Sequence, residues 1–366
     1  MTRTTTSAAP VQAAGLISTL TVPEGHISAL AIAPDGSWLA LANGKTVSIR
    51  SIDGTQRATL AGHRAPVSGL AIAPDGTWLA TGSFDGTART WSADGTHRAN
   101  LTGCKRLLTT VAIAPDGSWL TTECGRTMEI WAADGTHRAT LTSDNGYGTR
   151  VAIAPDGTWV AAVCGRTMQI AAADGTPRVT VAKTGHKIIA SVAIAPGGTW
   201  LATAGSADGT VRLWDLNGSC RATLTGHMPW VPAAAVFGTR LAIAPDGTWL
   251  AAASGKMAMI WAADGTPRAS LSSSFNGLAG DLVVAPDATW LALASGTTVS
   301  IFDLDGTSGT LGQVFRHRTL SAGSRAPATG LAIAPDGTWL ATAARDTVQI
   351  WDVVQIWAAV RDAAQQ

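Results

Sequence analysis

The amino-acid sequence predicts an all-β fold, an eight-bladed β-propeller of four-stranded antiparallel blades that is closed by the N-terminal strand. Three observations support this prediction. A phrase of the form APDG[ST]W, or a close variant, occurs eight times. The spacing of the copies matches one four-stranded blade. Each copy divides into short segments rich in β-formers, and no stretch before the C-terminus keeps a helical period of 3.6 residues.

The tryptophans of the repeated phrase set the repeat length. They follow one another at intervals of 40, 41, 40, 41, 49, 41 and 49 residues, and a period of about 40 to 45 residues is typical of propeller blades. Their recurrence favours packing between blades, and a sugar- or cation-binding aromatic surface is the alternative. The eight residues are Trp38, Trp78, Trp119, Trp159, Trp200, Trp249, Trp290 and Trp339.

The second copy shows how each repeat divides into strands. VSGLAIA, TWLATGS, GTARTW and HRANLT are read as its four strands. PDGT and SADGT are read as turns, because Pro presets φ and Gly tolerates positive φ. One such unit cannot bury both of its faces, whereas a ring of units buries them all and leaves only short edges.

The count of strands predicts how the ring closes. Eight copies of the first three strands are present, but only seven fourth strands lie between them. Residues 15–22, GLISTLTV, are read as the missing strand. The second VQIW, at 354–357, is the alternative, either as an outer strand or as a short capping helix. We divide the chain into a flexible tail (1–14), one propeller domain (15–352) and a C-terminal extension (353–366).

The repeats resemble those of the WD-repeat β-propeller family over residues 15–352. The resemblance rests on the GH pairs that begin at Gly25, Gly62, Gly185 and Gly226. It also rests on third-strand tryptophans, with WD itself at Trp214-Asp215 and Trp351-Asp352; these tryptophans are Trp91, Trp131, Trp214, Trp261 and Trp351. The near-identical copies resemble those of bacterial, in particular actinobacterial, members. In this family an N-terminal strand commonly completes the last blade, which agrees with the closure predicted above.

The resemblance implies a structural tetrad of His, Ser or Thr, Asp and Trp in two blades. A nucleophilic triad is the alternative for His, Ser and Asp, but a network that recurs at a fixed repeat position and ends on Trp indicates structure. Thr81 and Thr203 are alternatives to the serines. The predicted members are His63, Ser83, Asp85 and Trp91 in blade two, and His186, Ser206, Asp208 and Trp214 in blade five.

The other blades shorten the tetrad turn to x-Gly hairpins, four of which place a cation after the Gly. In this family that turn shares a face with the GH loop, so the resemblance implies a basic face opposite one rich in Asp. A solvated surface is the alternative to a docking face. The candidate partner-binding residues are Lys45, Arg64, Lys105, Arg106, Arg126, Tyr147, Arg166, Lys187, Trp230, Lys256 and Arg325.

Two local features leave alternatives open. The insertion at 226–240, which contains Trp230, is read either as an interface anchor or as a plug of the central channel. Cys104 replaces the GH histidine of blade three, and Cys124 lies in the partner turn. Free thiols are the expectation for both, and a disulfide is the alternative.

Composition limits the function classes. The net charge is +1 and 14% of residues are charged, which predicts no nucleic-acid partner. No apolar run approaches the roughly 18 residues of a membrane span, and the N-terminus lacks a secretory h-region. Four irregularly spaced cysteines favour a reducing cytoplasm. No Cys or His set has zinc spacing, and no phosphate loop or nucleophile elbow is present.

We therefore predict a cytoplasmic, monomeric, non-catalytic scaffold or sensor module without cofactors, which binds a protein partner on its basic face. Some bacterial relatives serve as sensor modules beside signalling ATPases or kinases. A ring lectin or small-molecule binder with repeated pockets between blades is the alternative function. An enzyme is disfavoured because the His and acidic residues occur in repeated positions rather than in one constellation.

Overall fold

The computed structural model of the chain is a ring of eight four-stranded antiparallel sheets, each of which forms one blade. It confirms the predicted fold class. The structure describes residues 15–22, 25–104, 107–142, 149–206, 208–225, 239–254, 257–271, 279–304, 316–321 and 328–363.

The strands follow the repeat in order. The first, β1 (Leu16–Thr21), belongs to blade eight. Blade one contains β2 (Ile27–Ile32), β3 (Trp38–Asn43), β4 (Thr46–Ser51) and β5 (Gln56–Ala61). Blade two contains β6 (Val67–Ile72), β7 (Trp78–Ser83), β8 (Ala88–Ser92) and β9 (His97–Leu101). Blade three contains β10 (Leu108–Ile113), β11 (Trp119–Cys124), β12 (Thr127–Ala132) and β13 (His137–Thr142). Blade four contains β14 (Thr149–Ile153), β15 (Trp159–Cys164), β16 (Thr167–Ala172) and β17 (Pro177–Val181).

The second half of the ring repeats this order. Blade five contains β18 (Ile189–Ile194), β19 (Trp200–Gly205), β20 (Val211–Asp215) and β21 (Cys220–Leu224). Blade six contains β22 (Arg240–Ile243), β23 (Trp249–Ser254), β24 (Met257–Ala262) and β25 (Pro267–Leu271). Blade seven contains β26 (Ala279–Val284), β27 (Trp290–Ser295), β28 (Thr298–Asp303) and β29 (Arg316–Ser321). Blade eight contains β30 (Ala328–Ile333), β31 (Trp339–Ala344) and β32 (Thr347–Asp352), and α1 (Val353–Ala363) follows.

The repeated APDGT phrase forms the turn between the first two strands of a blade. In blade two, Asp75 accepts the backbone N–H of Thr77 at 3.0 Å and its hydroxyl at 2.8 Å. Gly76 has φ +67°, which an L side chain rarely adopts. Asp75, Gly76 and Thr77 thus each have a local role in reversing the chain.

The second strand of each blade is buried on both faces, which explains why it lacks polar alternation. In β7, Trp78 packs against blade three, and Leu79 packs against blade one. The core is therefore a series of clusters between neighbouring blades. One of them joins blade eight to blade one through Trp339 and Leu39, so the packing continues around the ring.

The N-terminal strand closes the ring, as predicted. β1 pairs antiparallel with β32, from Leu16 opposite Trp351 to Thr21 opposite Thr347. The second VQIW is not an outer strand. It belongs to α1, where Asp352 caps the first turn by accepting the N–H of Gln355 at 2.9 Å.

The strand ends divide the ring into two faces. The loop face holds the connections between blades, such as 62–66, and the turns between second and third strands, such as 84–87. The turn face holds the APDGT turns and the turns before each fourth strand, such as 93–96. Within the described part of the chain, no helix has the length and apolarity needed to cross a bilayer. The predicted tail at 1–14 lies outside the described residues.

Candidate functional site

The eight tryptophans of the repeated phrase are all buried. Trp119 shows how they pack, because its indole N–H donates to Gly157 O in the next blade at 3.0 Å. The packing interpretation is confirmed, and these rings form no exposed aromatic surface. The cavity between blades three and four, lined by Met128 and Cys164, has a volume of only about 10 Å³, which is too small for a sugar.

Blade two contains a hydrogen-bonded tetrad at the loop face. Trp91 Nε1–H donates to Thr81 Oγ1 at 2.9 Å, and Thr81 Oγ1 lies 2.8 Å from His63 Nε2. His63 Nδ1 lies 3.2 Å from Asp85 Oδ2. These contacts fit a neutral His63 that accepts at Nε2 and donates from Nδ1, so the chain of hydrogen bonds runs from the indole to the carboxylate.

Blade five repeats this network. Trp214 Nε1–H donates to Thr203 Oγ1 at 2.8 Å, and that oxygen lies 2.9 Å from His186 Nε2. His186 Nδ1 lies 2.8 Å from Asp208 Oδ2. The two networks therefore place the same four atom types in the same order.

The hydroxyl member of each tetrad is Thr, so the assignments of Ser83 and Ser206 are wrong. Thr81 and Thr203 lie three residues after the buried Trp of the second strand, on the face that meets the third-strand Trp. Ser83 lies at the strand end, where its hydroxyl donates to Ala65 O at 2.9 Å. Ser206 lies in the turn after β19.

The electrostatics of the blade-two tetrad are those of a structural network. Burial lowers the pKa of His63, although Asp85 opposes the shift. Burial alone would raise the pKa of Asp85, but hydrogen bonds from Thr87 and from the Arg64 N–H, together with nearby His63, hold it well below its usual range. Because Thr81 Oγ1 is buried between an indole and an imidazole, it is not placed to attack a substrate.

Blade three replaces the histidine with a disulfide. Cys104 occupies the place of His63 and is bonded to Cys124, with Cα atoms 5.8 Å apart. The expectation of free thiols is therefore wrong for this pair, because the loop before β10 lies against the end of β11. The Trp–Thr half of the tetrad remains, since Trp131 Nε1–H donates to Thr122 Oγ1 at 3.0 Å.

The described candidate cations all lie on the loop face, and all are exposed there: Lys45, Arg64, Arg126, Arg166 and Lys187. Sequence reasoning missed two further exposed cations of this face, Lys183 and Arg345. Arg345 has φ +54° where other blades have Gly in the x-Gly turn. The remaining candidates lie outside the described residues: Lys105, Arg106, Tyr147, Trp230, Lys256 and Arg325.

The turn face has the opposite charge. The aspartates of its turns are exposed, and backbone N–H donors in the turns lower the pKa of several of them. Asp35, for example, accepts the Ser37 N–H at 3.0 Å, and this contact is the main cause of its lowered pKa. These carboxylates remain charged at neutral pH, so they keep the turn face negative.

Two apolar side chains are unusually exposed on the loop face, and sequence reasoning did not select either of them. Phe84, in the turn after β7, is 42% exposed, and Leu107, just before β10, is 59% exposed. In a sequence composed mostly of strands, an apolar residue is expected in the core, so its type does not indicate exposure. Only the position of Phe84 in a tetrad turn hinted at exposure.

Two carboxyl groups lie at blade-to-blade contacts, one buried at Glu123 and one partly exposed at Asp281. Burial raises the pKa of Glu123 on β11 to about 7, although Arg150 and hydrogen bonds from Thr110 and the Val151 N–H oppose the shift. Asp281 on β26 accepts the Leu331 N–H of the next blade at 3.0 Å. The described residues contain no group of three side chains suited to hold a metal ion.

The comparisons with known proteins agree with this geometry. A family model described as "WD domain, G-beta repeat" matches residues 16–50, 54–92, 175–215, 218–262 and 316–352, which is more than half of the chain. The chain is similar to the solved structure titled "Crystal Structure Of The C-Terminal WD40 Domain Of Sif2". The TM-score is 0.78 at 18% identity, over 94% of this chain and 99% of that one, so the likeness concerns the fold alone. No curated protein sequence matches the chain.

Proposed function

The chain belongs to the WD domain, G-beta repeat family, and on that premise we propose that it is a non-catalytic scaffold or sensor module that binds a partner protein on its loop face. Proteins of this family commonly act as platforms for protein assemblies. In this ring the loop face carries the exposed cations Lys45, Arg64 and Lys187.

The observation that supports this proposal is the separation of charge between the faces. The described cations of the loop face are exposed, whereas two of its acids, Asp85 and Asp208, are held in tetrads. Asp346 is the exposed acid among the described residues of this face. A positive surface of this kind attracts an acidic partner and orients it before contact.

The tetrads support a scaffold rather than a hydrolase. Their His, Thr and Asp groups satisfy one another and recur in blades two and five, whereas an active site needs one constellation open to substrate. The repeated-pocket alternative is weaker, because the recurring tryptophans are buried. The cavity of about 380 Å³ between blades seven and eight is lined partly by Val353 and Trp357 of α1, so it is not a pocket that every pair of blades repeats.

Charge reversal on each face tests the proposal. The loop-face variant changes Lys45, Arg64, Arg166 and Lys187 to Glu. The matched control changes four exposed arginines of the turn face to Glu, with the same change in net charge: Arg57, Arg138, Arg178 and Arg268. Each immobilised protein is incubated with extract of the organism that encodes it, and captured proteins are quantified by mass spectrometry.

We expect the loop-face variant to lose partners that the wild type and the control both retain. Added salt should also reduce the capture of these partners by the wild type, because exposed charges more than about 10 Å apart are screened at 0.1 M ionic strength. Equal capture by both variants would contradict the proposal.

A further inference from the structure

Phe84 and Leu107 lie on either side of one junction between blades two and three. Ser68 Oγ lies 3.2 Å from Gly82 O and 2.6 Å from Leu108 O, so it bridges the segments that hold the two side chains. A Cβ added to Gly82 would clash with the Leu108 side chain. The strand end before Phe84 and the strand start after Leu107 are therefore in contact.

The exposed Phe84 ring is not needed to build its turn. The Phe84 N–H donates to Pro66 O at 3.0 Å, and in blade five the Ser206 N–H donates to Ile188 O at 3.1 Å. Blade five makes the same backbone hydrogen bond from a serine, in a turn that is one residue longer, and its tetrad is intact. The hydrogen bond that holds the turn therefore comes from the backbone of Phe84 and does not use the aromatic ring.

The surroundings of the apolar pair are basic. The Arg64 N–H donates to Asp85 Oδ2 at 2.7 Å, which places the Arg64 main chain beside the turn of Phe84. The Arg64 side chain is exposed, whereas the Asp85 side chain is only 9% exposed and is bonded to His63. An occupant of this junction therefore meets apolar surface beside positive charge.

From this arrangement we infer that Phe84 and Leu107 form the apolar centre of the partner site. The occupant is an acidic segment of a partner protein that places one bulky apolar side chain between them. This inference rests on the proposed function and names its partner class. Binding energy at protein interfaces concentrates in a few central apolar or aromatic residues inside a polar rim, and the basic loop face supplies that rim.

The test selects ligands without assuming their sequence. A random dodecapeptide library is displayed and selected against the full chain. The selected peptides are then measured by fluorescence anisotropy against Phe84→Ser, Leu107→Ser and the double variant. Val354→Ser is the matched control, because Val354 is 60% exposed on α1, which follows β32 on the turn face.

We expect selected peptides to combine Asp or Glu with a bulky apolar residue. Each single variant should weaken binding by at least about tenfold, a loss typical of a residue at the centre of an interface, and the control should not. Thermal melting of each variant should match that of the wild type, since both side chains are exposed.

Several results would overturn the inference. One is a selection that yields no binders, or only binders without acidic or bulky apolar residues. Peptide binding could fall in the loop-face charge-reversal variant and stay unchanged in the serine variants. That result would support the proposed function and would reject the apolar centre. Binding to vesicles of anionic lipid, lost in the serine variants while no peptide binds, would assign the patch to a membrane instead.

Discussion

The Cys104–Cys124 disulfide links the loop before β10 to the end of β11 in blade three. In blade two, the equivalent loop is linked to β7 by the hydrogen bond between His63 and Thr81. Two neighbouring blades thus make the same connection by different chemistry. In blade two the link is a set of hydrogen bonds that ends on Asp85. In blade three, where the turn is too short to supply that Asp, it is covalent.

Reduction of this disulfide should destabilise the ring. The two cysteines are separated by 20 residues, and loss of a native disulfide typically costs about 2–5 kcal/mol of unfolding free energy. We expect Tm to fall when dithiothreitol is added, as measured by calorimetry. The Cys104→Ser/Cys124→Ser double variant should melt near the reduced wild type and should not respond to the reductant. Equal Tm values for wild type with and without reductant would refute the link.

Removal of residues 1–22 should open the ring. The deletion removes β1 from its pairing with β32 and takes Leu20 and Val22 out of the cluster between blades eight and one. Burial of each such side chain contributes about 1.5–3 kcal/mol, and the backbone pairing is lost as well.

We expect this deletion to lower Tm strongly and to increase dye binding to exposed apolar surface. Deletion of residues 1–12 is the control, because it retains β1. A synthetic peptide of residues 15–22 should restore part of the lost Tm. If the longer deletion melted like the full chain, β1 would not be the closing strand.

Thr81→Val should weaken blade two more than Thr122→Val weakens blade three. Valine has a similar shape but no hydroxyl, so Trp91 Nε1 and His63 Nε2 would both lose a buried partner. Each unpaired buried group costs about 1–3 kcal/mol. Thr122→Val leaves only the Trp131 indole without its partner, and the disulfide remains. Urea denaturation measures both changes, and a smaller effect at Thr81 would argue against a continuous tetrad.

Glu123→Gln should change the pH dependence of stability. Burial raises the pKa of Glu123 to about 7 from its ordinary value of 4.5. Between these values the folded protein keeps a proton that the unfolded chain releases, so the contribution of this group to stability falls as pH rises and is lost above about pH 7. Glutamine does not titrate.

The measurement is the difference in unfolding free energy between variant and wild type from about pH 4.5 to 8. We expect it to increase in favour of the variant by about 3 kcal/mol over this range. The pKa of His63 is lowered, so its contribution to stability rises with pH. Both proteins contain His63, so this contribution cancels in the difference between them. A difference that stays constant with pH would mean that Glu123 is charged when buried.

The ring could be predicted from sequence because its determinants are local and repeated. Trp78 and Asp75 recur at the same repeat positions, and each acts within its own turn or the adjacent blade. The closing strand could be predicted because one fourth strand was missing from an otherwise complete set.

The errors concern contacts that depend on register between segments. Ser83 and Thr81 are both hydroxyl residues of one strand, and only the alignment of that strand with Trp91 selects Thr81. Cys104 and Cys124 meet because a loop folds onto a strand end. The exposure of Phe84 and Leu107 depends on how two blades join, and a single apolar residue in the sequence does not reveal it.

The pairing of β1 with β32 also bears on synthesis. About 330 residues separate the two strands, and ribosomes add about 5–20 residues per second. β1 must therefore leave the ribosome and remain without its partner for on the order of half a minute, while the blades between form in turn. During that interval β1 has no partner strand, so the ring closes only when its first strand to be made pairs with its last.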